Sequence, residues 1–411
     1  MNMKIRLTVM SFLQFAVWGA WLITLGKYLG GDSLQLGSKI GSFYATMGLG
    51  SLFMPAIMGI IADRWIPAQK LLGMCHVIAA AFMIFAAQQT EYIMLYSSVL
   101  LSVMFYMPTI ALSNSVAYNA LEKAKLDTVK AFPPIRVWGT VGFIASMWCV
   151  DLLGFGHNES QLYFSAALGI ILGAYSFSLP ACETSSGAGS KSLVDTLGLR
   201  AFSLFKEKRM ALFFIFSMML GMMLQITNAF GDLYIHSFSA IEEYKDAFFT
   251  KHSTILISLS QISETLCILL IPFFLKRFGI KKVMLISMIA WALRFALLGA
   301  GNPGAGVWMF FISMIVYGVA FDFFNISGSL FVNRETSSEI RSSAQGVFMI
   351  MTNGIGAIIG SYTAQWVVNH TATADGAQTP VSWYIFAAFA VAMAVVFALT
   401  FKYKHTPEQE D

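Results

Sequence analysis

Apolar runs fill most of the chain, and short polar connections interrupt them at intervals that match the thickness of a bilayer. A spanning helix needs about 20 mainly apolar residues. Windows of that kind predict twelve spans, near residues 7 to 29, 40 to 62, 71 to 89, 93 to 119, 134 to 154, 161 to 181, 210 to 236, 253 to 275, 283 to 300, 306 to 332, 343 to 368 and 381 to 401. No stretch remains for a soluble domain. The first run follows Lys4 and Arg6 but continues to Leu29 without a small-residue cleavage site, so it is expected to stay as a span rather than be removed as a signal peptide. The pattern therefore predicts an all-α integral membrane protein.

Composition agrees with the pattern. Of 411 residues, 57% are hydrophobic and 12% charged, where a soluble domain carries about 25% charged residues. A soluble enzyme is excluded. The net charge of +4 comes from scattered residues rather than a basic stripe, so nucleic acid is not an expected partner. Cys75, Cys149, Cys182 and Cys267 fall in or beside apolar runs with no paired spacing, which argues against a metal knuckle or a disulfide framework. No metal and no cofactor are expected.

Charge placement predicts the topology. With a cytoplasmic N-terminus, roughly twenty Lys and Arg residues fall on the cytoplasmic side, among them Arg64, Lys70, Lys123, Lys130, Arg209, Lys276, Arg277, Arg334 and Arg341. Only Lys27, Lys39, Lys245 and Lys251 fall outside. Both termini are thus expected in the cytoplasm. The longest polar connection, 183 to 209, contains Ser-Ser-Gly-Ala-Gly-Ser at 185 to 190 and reads as a linker between two six-span bundles, 1 to 182 and 210 to 411. A weak internal repeat supports that division. Gly59-Ile-Ile-Ala-Asp63-Arg64 follows the second span, and Lys276-Arg277-Phe278-Gly279-Ile280-Lys281-Lys282 follows the eighth, with Pro55 and Pro272 shortly upstream. The second copy lacks the acidic member.

Ionisable groups at membrane depth cost about 2.5 to 3.5 kcal/mol each, so each needs a partner or a wet cavity. Arg136, Glu264, Arg294 and Asp322 fall within spans five, eight, nine and ten. On span five, Arg136, Thr140 and Phe143 share a face; on span seven, Gln225 and Asn228 are three apart, with Asp232 a turn further; on span eight, Gln261 and Glu264 are three apart, beside Ser260 and Ser263. Span ten carries Tyr317, Phe321 and Phe324 on one stripe, with Asp322 and Asn325 on a second. Gln14, Trp18, Trp21, Thr352 and Asn353 add polar and aromatic groups from spans one and eleven.

A small solute with a ring and several hydroxyls suits such a set, since the ring stacks on Phe or Tyr and amides take its edges. Nucleosides and sugars fit about equally on composition. An amino acid fits less well, because its carboxylate favours a helix N-terminus or an arginine. Other fates compete for the same residues: helix-to-helix hydrogen bonds for the amides and packing for the aromatic stripe. Arg294, near a span end, is read as snorkelling or structurally paired. His76 and His236 are read as locally satisfied, and Asp151 and Asp232 as facing water. Glu264 and Asp322, with no basic neighbour close on their own spans, are the strongest functional residues. A membrane enzyme is disfavoured because no metal cluster or Ser/His/Asp set lies near one face. A sensor is disfavoured because it would carry an output domain.

The motifs are specific enough to suggest a family. Ser11-Phe12-Leu13-Gln14-Phe15 with Trp18-Gly19-x-Trp21-Leu22, Phe132-Pro133-Pro134-Ile135-Arg136-x-Trp138-Gly139-Thr140-x-Gly142-Phe143, Leu224-Gln225-Ile226-Thr227-Asn228, Ser260-Gln261-Ile262-Ser263-Glu264-Thr265-Leu266, Phe321-Asp322-Phe323-Phe324-Asn325-Ile326-Ser327-Gly328 and Phe401-Lys402-Tyr403-Lys404-His405 resemble the nucleoside:proton symporters of the major facilitator superfamily. Gly59 to Arg64 likewise resembles that superfamily's Gly-x-x-x-Asp-Arg loop. The resemblance runs almost end to end. It implies a major facilitator fold of two six-helix halves in the cytoplasmic (inner) membrane, and nucleoside import by alternating access with a coupled proton. It also implies nucleoside contacts from Arg136, Thr140, Phe143, Gln225, Asn228, Gln261, Glu264, Tyr317 and Phe321, with Asp322 lining the same site. The carboxylates make Asp322 the expected proton carrier and Glu264 the substrate acceptor and second candidate. A sugar or polyol symporter of the same superfamily is the alternative, and the protein is expected to work as a monomer amid membrane lipid.

Overall fold

A computed structural model describes residues 2–184, 199–337, 340–373 and 378–403. Among the described residues there is no strand, and the chain divides into two compact units, Met1–Lys191 and Ser192–Asp411. The Ser-Gly segment of the expected linker lies outside the described residues; its end forms a short 3-10 helix, Leu199–Lys206.

The first unit is built from Met3–Gly19 with its continuation Leu25–Gly30, then Ile40–Arg64, Ala68–Ala87, Tyr92–Lys123, Thr128–Leu152 and Ser160–Ser176. The second contains Lys208–Ser237, Ser253–Ile268, Ile271–Ala300, Val307–Glu335, Arg341–Thr371 and Pro380–Thr400. Nine of the described helices are long and apolar enough to cross a membrane. The first, sixth and eighth windows are served by shorter helices of 17, 17 and 16 residues.

Both units pack their helices by one scheme. In the first, span one lies on span five, span two on span four, and span three on spans four and six; in the second, seven lies on eleven, eight on ten, and nine on ten and twelve. Adding six to each number converts one set into the other, so the weak repeat in sequence is a strong repeat in packing. Small residues permit the closest crossings, as expected where lipid leaves no hydrophobic drive between helices. A Cβ at Gly142 meets the Phe12 backbone, and a Cβ at Gly221 meets the Thr352 backbone. Span eleven widens into a π-helix over Ile350–Gly356, at the residue that touches Gly221.

Three departures from the predicted spans have local causes. Span one unwinds between Gly19 and Leu25, and the break is stabilised because the Tyr44 hydroxyl donates to the Leu22 carbonyl at 2.5 Å and the Thr24 hydroxyl to Gln161 Oε1 at 2.8 Å. The window 253 to 275 is two helices rather than one, parted at Leu269 and Leu270, with Pro272 in the first turn of the second. The chain then reverses at Gly279, whose φ of 75° suits glycine. Span nine therefore starts at Ile280, inside the basic run.

Candidate functional site

In the second unit a glycine sets the site. A Cβ at Gly318 sits 2.6 Å from the Ser263 carbonyl oxygen and 2.8 Å from Cys267 Sγ, so only glycine lets spans eight and ten approach this closely. The Ser263 hydroxyl completes the crossing by donating to the Ile315 carbonyl. Tyr317 is thereby held beside span eight, where its hydroxyl neighbours Gln261. Phe321, one turn on, lies parallel to the Tyr317 ring, with centroids 6.0 Å apart and an interplanar angle of 8°. Two parallel rings form a stack that a planar base can extend.

The carboxyls meet at the same place. The charges of Glu264 and Asp322 act on each other, and both act on Tyr317. Asp322 is 3% exposed, and its Oδ2 is sealed from solvent without a hydrogen-bond partner. Buried acceptors without partners are rare in folded proteins and point to function. On span seven, Gln225 is also buried with Oε1 unpartnered, and Asn228 is half-buried one turn away. Gln261, Glu264 and Phe321 are likewise half-buried. The structure thus brings Gln261, Glu264, Tyr317, Phe321 and Asp322 together.

The first unit holds its own cluster. Arg136 lies over the Phe15 ring, 3.9 Å from its centre, and Phe143 meets Trp18 edge-on at 6.3 Å. Gly139 and Gly142 make these contacts possible, since a Cβ on either meets span one. Thr140 is half-buried on the same helix. Gln14 is not free for a ligand: it donates to the Thr109 hydroxyl at 2.7 Å, its Oε1 pairs with His76 Nε2 at 2.9 Å, and its carbonyl accepts from Tyr106. That bond satisfies only Nε2 of His76, whose buried Nδ1 has no partner, so the reading of His76 as locally satisfied holds for one nitrogen alone; His236 pairs with the Thr250 carbonyl.

Several sequence readings need correction. Of the two fates read for Arg294, the structure shows pairing and not snorkelling: it is fully buried, bonded to the Ser313 carbonyl at 2.7 Å, and stacked on Tyr317. Phe324 leaves the proposed stripe and stacks on Phe213 at 6.1 Å, beside Phe331 and Phe348. Asp151 does not face water but lies 4.0 Å from Lys27 with both side chains 2% exposed, and Asp232 is buried and accepts from Thr254. Thr352 bonds the Phe348 carbonyl within its own helix. The Gly318 crossing was missed, although Gly318 stands beside Tyr317 in the sequence.

Among the described residues, no group of three or more His, Cys, Asp or Glu is arranged to hold a metal. Comparisons with known proteins identify the family. The profile of the family described as nucleoside H+ symporter matches residues 1–406. The xanthosine permease of Escherichia coli is 48% identical over 410 residues, covering 100% of this chain and 98% of that protein. The nucleoside permease NupG of the same organism is 48% identical over 406 residues, covering 98% and 97%. A crystal structure of NupG superposes with a TM-score of 0.92 at 48% identity, over 98% of this chain and 100% of that one. The fold is therefore that of the major facilitator transporters, and the nucleoside reading displaces the sugar alternative. The chain belongs to the nucleoside H+ symporter family, as a multi-pass membrane transporter of nucleosides with protons and not an enzyme.

Proposed function

We propose that Tyr317 and Phe321 receive the nucleobase, that Gln225, Asn228, Gln261 and Glu264 bond its polar edges and the ribose, and that Asp322 carries the proton. Arg136, Thr140 and Phe143 are the proposed contacts from the first unit. One observation carries the reading: two carboxyls that act on each other lie beside a parallel aromatic pair, and one of them has a sealed, unpartnered oxygen. Two neighbouring carboxylates repel, and a proton on one removes the repulsion. Substrate and proton then bind favourably together, which is the requirement for symport, and alternating access delivers both to the other side.

The relatives are named for nucleosides and for xanthosine, so the substrates proposed here are nucleosides. The protein is proposed to act as a monomer in the cytoplasmic membrane with both termini inside, the reading the distribution of Lys and Arg supports. Uptake of a panel of uridine, adenosine and xanthosine into energised vesicles, with and without a protonophore, tests the function. Accumulation should be abolished by the protonophore and left intact by competing sugars; accumulation that survives the protonophore contradicts proton coupling.

A further inference from the structure

Arg294 reaches the nucleoside cluster from span nine through a single ring. Its guanidinium carbon lies 4.7 Å from the centre of the Tyr317 ring. Nη1 donates to the Ser313 carbonyl at 2.7 Å and to the Ser260 hydroxyl at 3.2 Å, while Nε and Nη2 have no hydrogen-bond partner and the side chain is fully buried. A guanidinium sealed in a helical bundle with donors left over is a poor structural choice. An apolar side chain of similar bulk avoids the desolvation and leaves nothing unpaired. What the guanidinium does accomplish is to hold one aromatic side chain. Arg294 covers the face of Tyr317, Trp291 meets it edge-on at 5.9 Å, and Phe321 lies parallel to it. A planar cation over a ring face is a contact that lysine reproduces only in part.

We propose that Arg294 is a positioning residue for nucleoside recognition, acting through Tyr317: its buried guanidinium fixes the ring on which the base stacks. The proposal rests on the assignment of Tyr317 to the nucleoside site. It is tested with purified protein by thermal-shift titration with uridine and by uridine exchange in vesicles, both expressed per folded molecule. Arg294→Met is expected to weaken uridine affinity about tenfold while leaving the maximal exchange rate within about twofold, and Arg294→Lys to fall between Met and the parent. In a Tyr317→Leu background, Arg294→Met is expected to weaken affinity no further, because the ring through which it acts is gone. Parent affinity in Arg294→Met, or losses that add in the double variant, overturns the role of Arg294 alone. Parent affinity in Tyr317→Leu by itself removes Tyr317 from the site and overturns both readings. If the Met variant does not reach the membrane, Arg294→Lys decides: a weakened affinity at unchanged exchange rate supports the proposal, and parent affinity overturns it.

Discussion

Replacing Asp322 with asparagine removes one titratable group and changes little else. The side chain is 3% exposed, and its sealed Oδ2 has no hydrogen-bond partner to lose. An amide of the same shape therefore takes the same place but cannot carry a proton. Moving one elementary charge down a potential of 100 mV supplies about 2.3 kcal/mol. At about 1.4 kcal/mol per tenfold, that sustains a nucleoside gradient of about 50-fold. The parent protein, in vesicles with a negative interior, is thus expected to concentrate uridine by up to that factor, and to do so less as the external pH is raised. Asp322→Asn is expected to equilibrate uridine to a ratio of about one at every pH, while exchange of internal for external uridine persists. Both quantities come from one assay, radiolabelled uptake with and without an imposed potential, alongside counterflow. Accumulation by Asp322→Asn equal to that of the parent would refute the assignment of the proton to this carboxyl.

Three further outcomes are expected. Glu264→Ala removes a charged acceptor and should weaken nucleoside affinity about 10- to 150-fold, the equivalent of about 1.5 to 3 kcal/mol; Gln261→Ala should weaken it less, and an unchanged thermal-shift titration would remove either from the site. Gly318→Ala forces a methyl against the Ser263 backbone, at a cost of about 1 to 3 kcal/mol, so melting temperature and uridine affinity should fall together, whereas Gly346→Ala, whose Cβ meets nothing within 4 Å, should change neither. Lys27→Met should destabilise the first unit by about 3 to 5 kcal/mol by removing the cation 4.0 Å from the Asp151 carboxylate, and adding Asp151→Leu should restore most of the loss, read from thermal melting in detergent.

The spans were readable because a bilayer demands a length of apolar chain, and that length shows directly in the sequence. Breaks were not readable, because a span can unwind wherever tertiary groups catch its carbonyls, as Tyr44 does for Leu22. Helical spacing put Gln261 beside Glu264 and Tyr317 beside Phe321, and the structure keeps both pairs. The same spacing misassigned Phe324, since a stripe says which residues share a face but not where a neighbour such as Phe213 begins to cover it. For the snorkelling alternative for Arg294, and for Asp151 and Asp232, nearness to a span end does not mean nearness to water. Each is instead buried against polar groups of other spans, Ser313, Lys27 and Thr254, which lie 19, 124 and 22 residues away in the chain.

A structure of the protein with uridine bound decides whether span ten receives the base. The pyrimidine ring is expected against the Tyr317–Phe321 pair, with Gln261 and Glu264 bonded to the nucleoside and Asp322 within reach of Glu264. Uridine found away from span ten, or Glu264 and Asp322 turned to separate protein neighbours with no nucleoside between the surrounding side chains, would contradict that expectation.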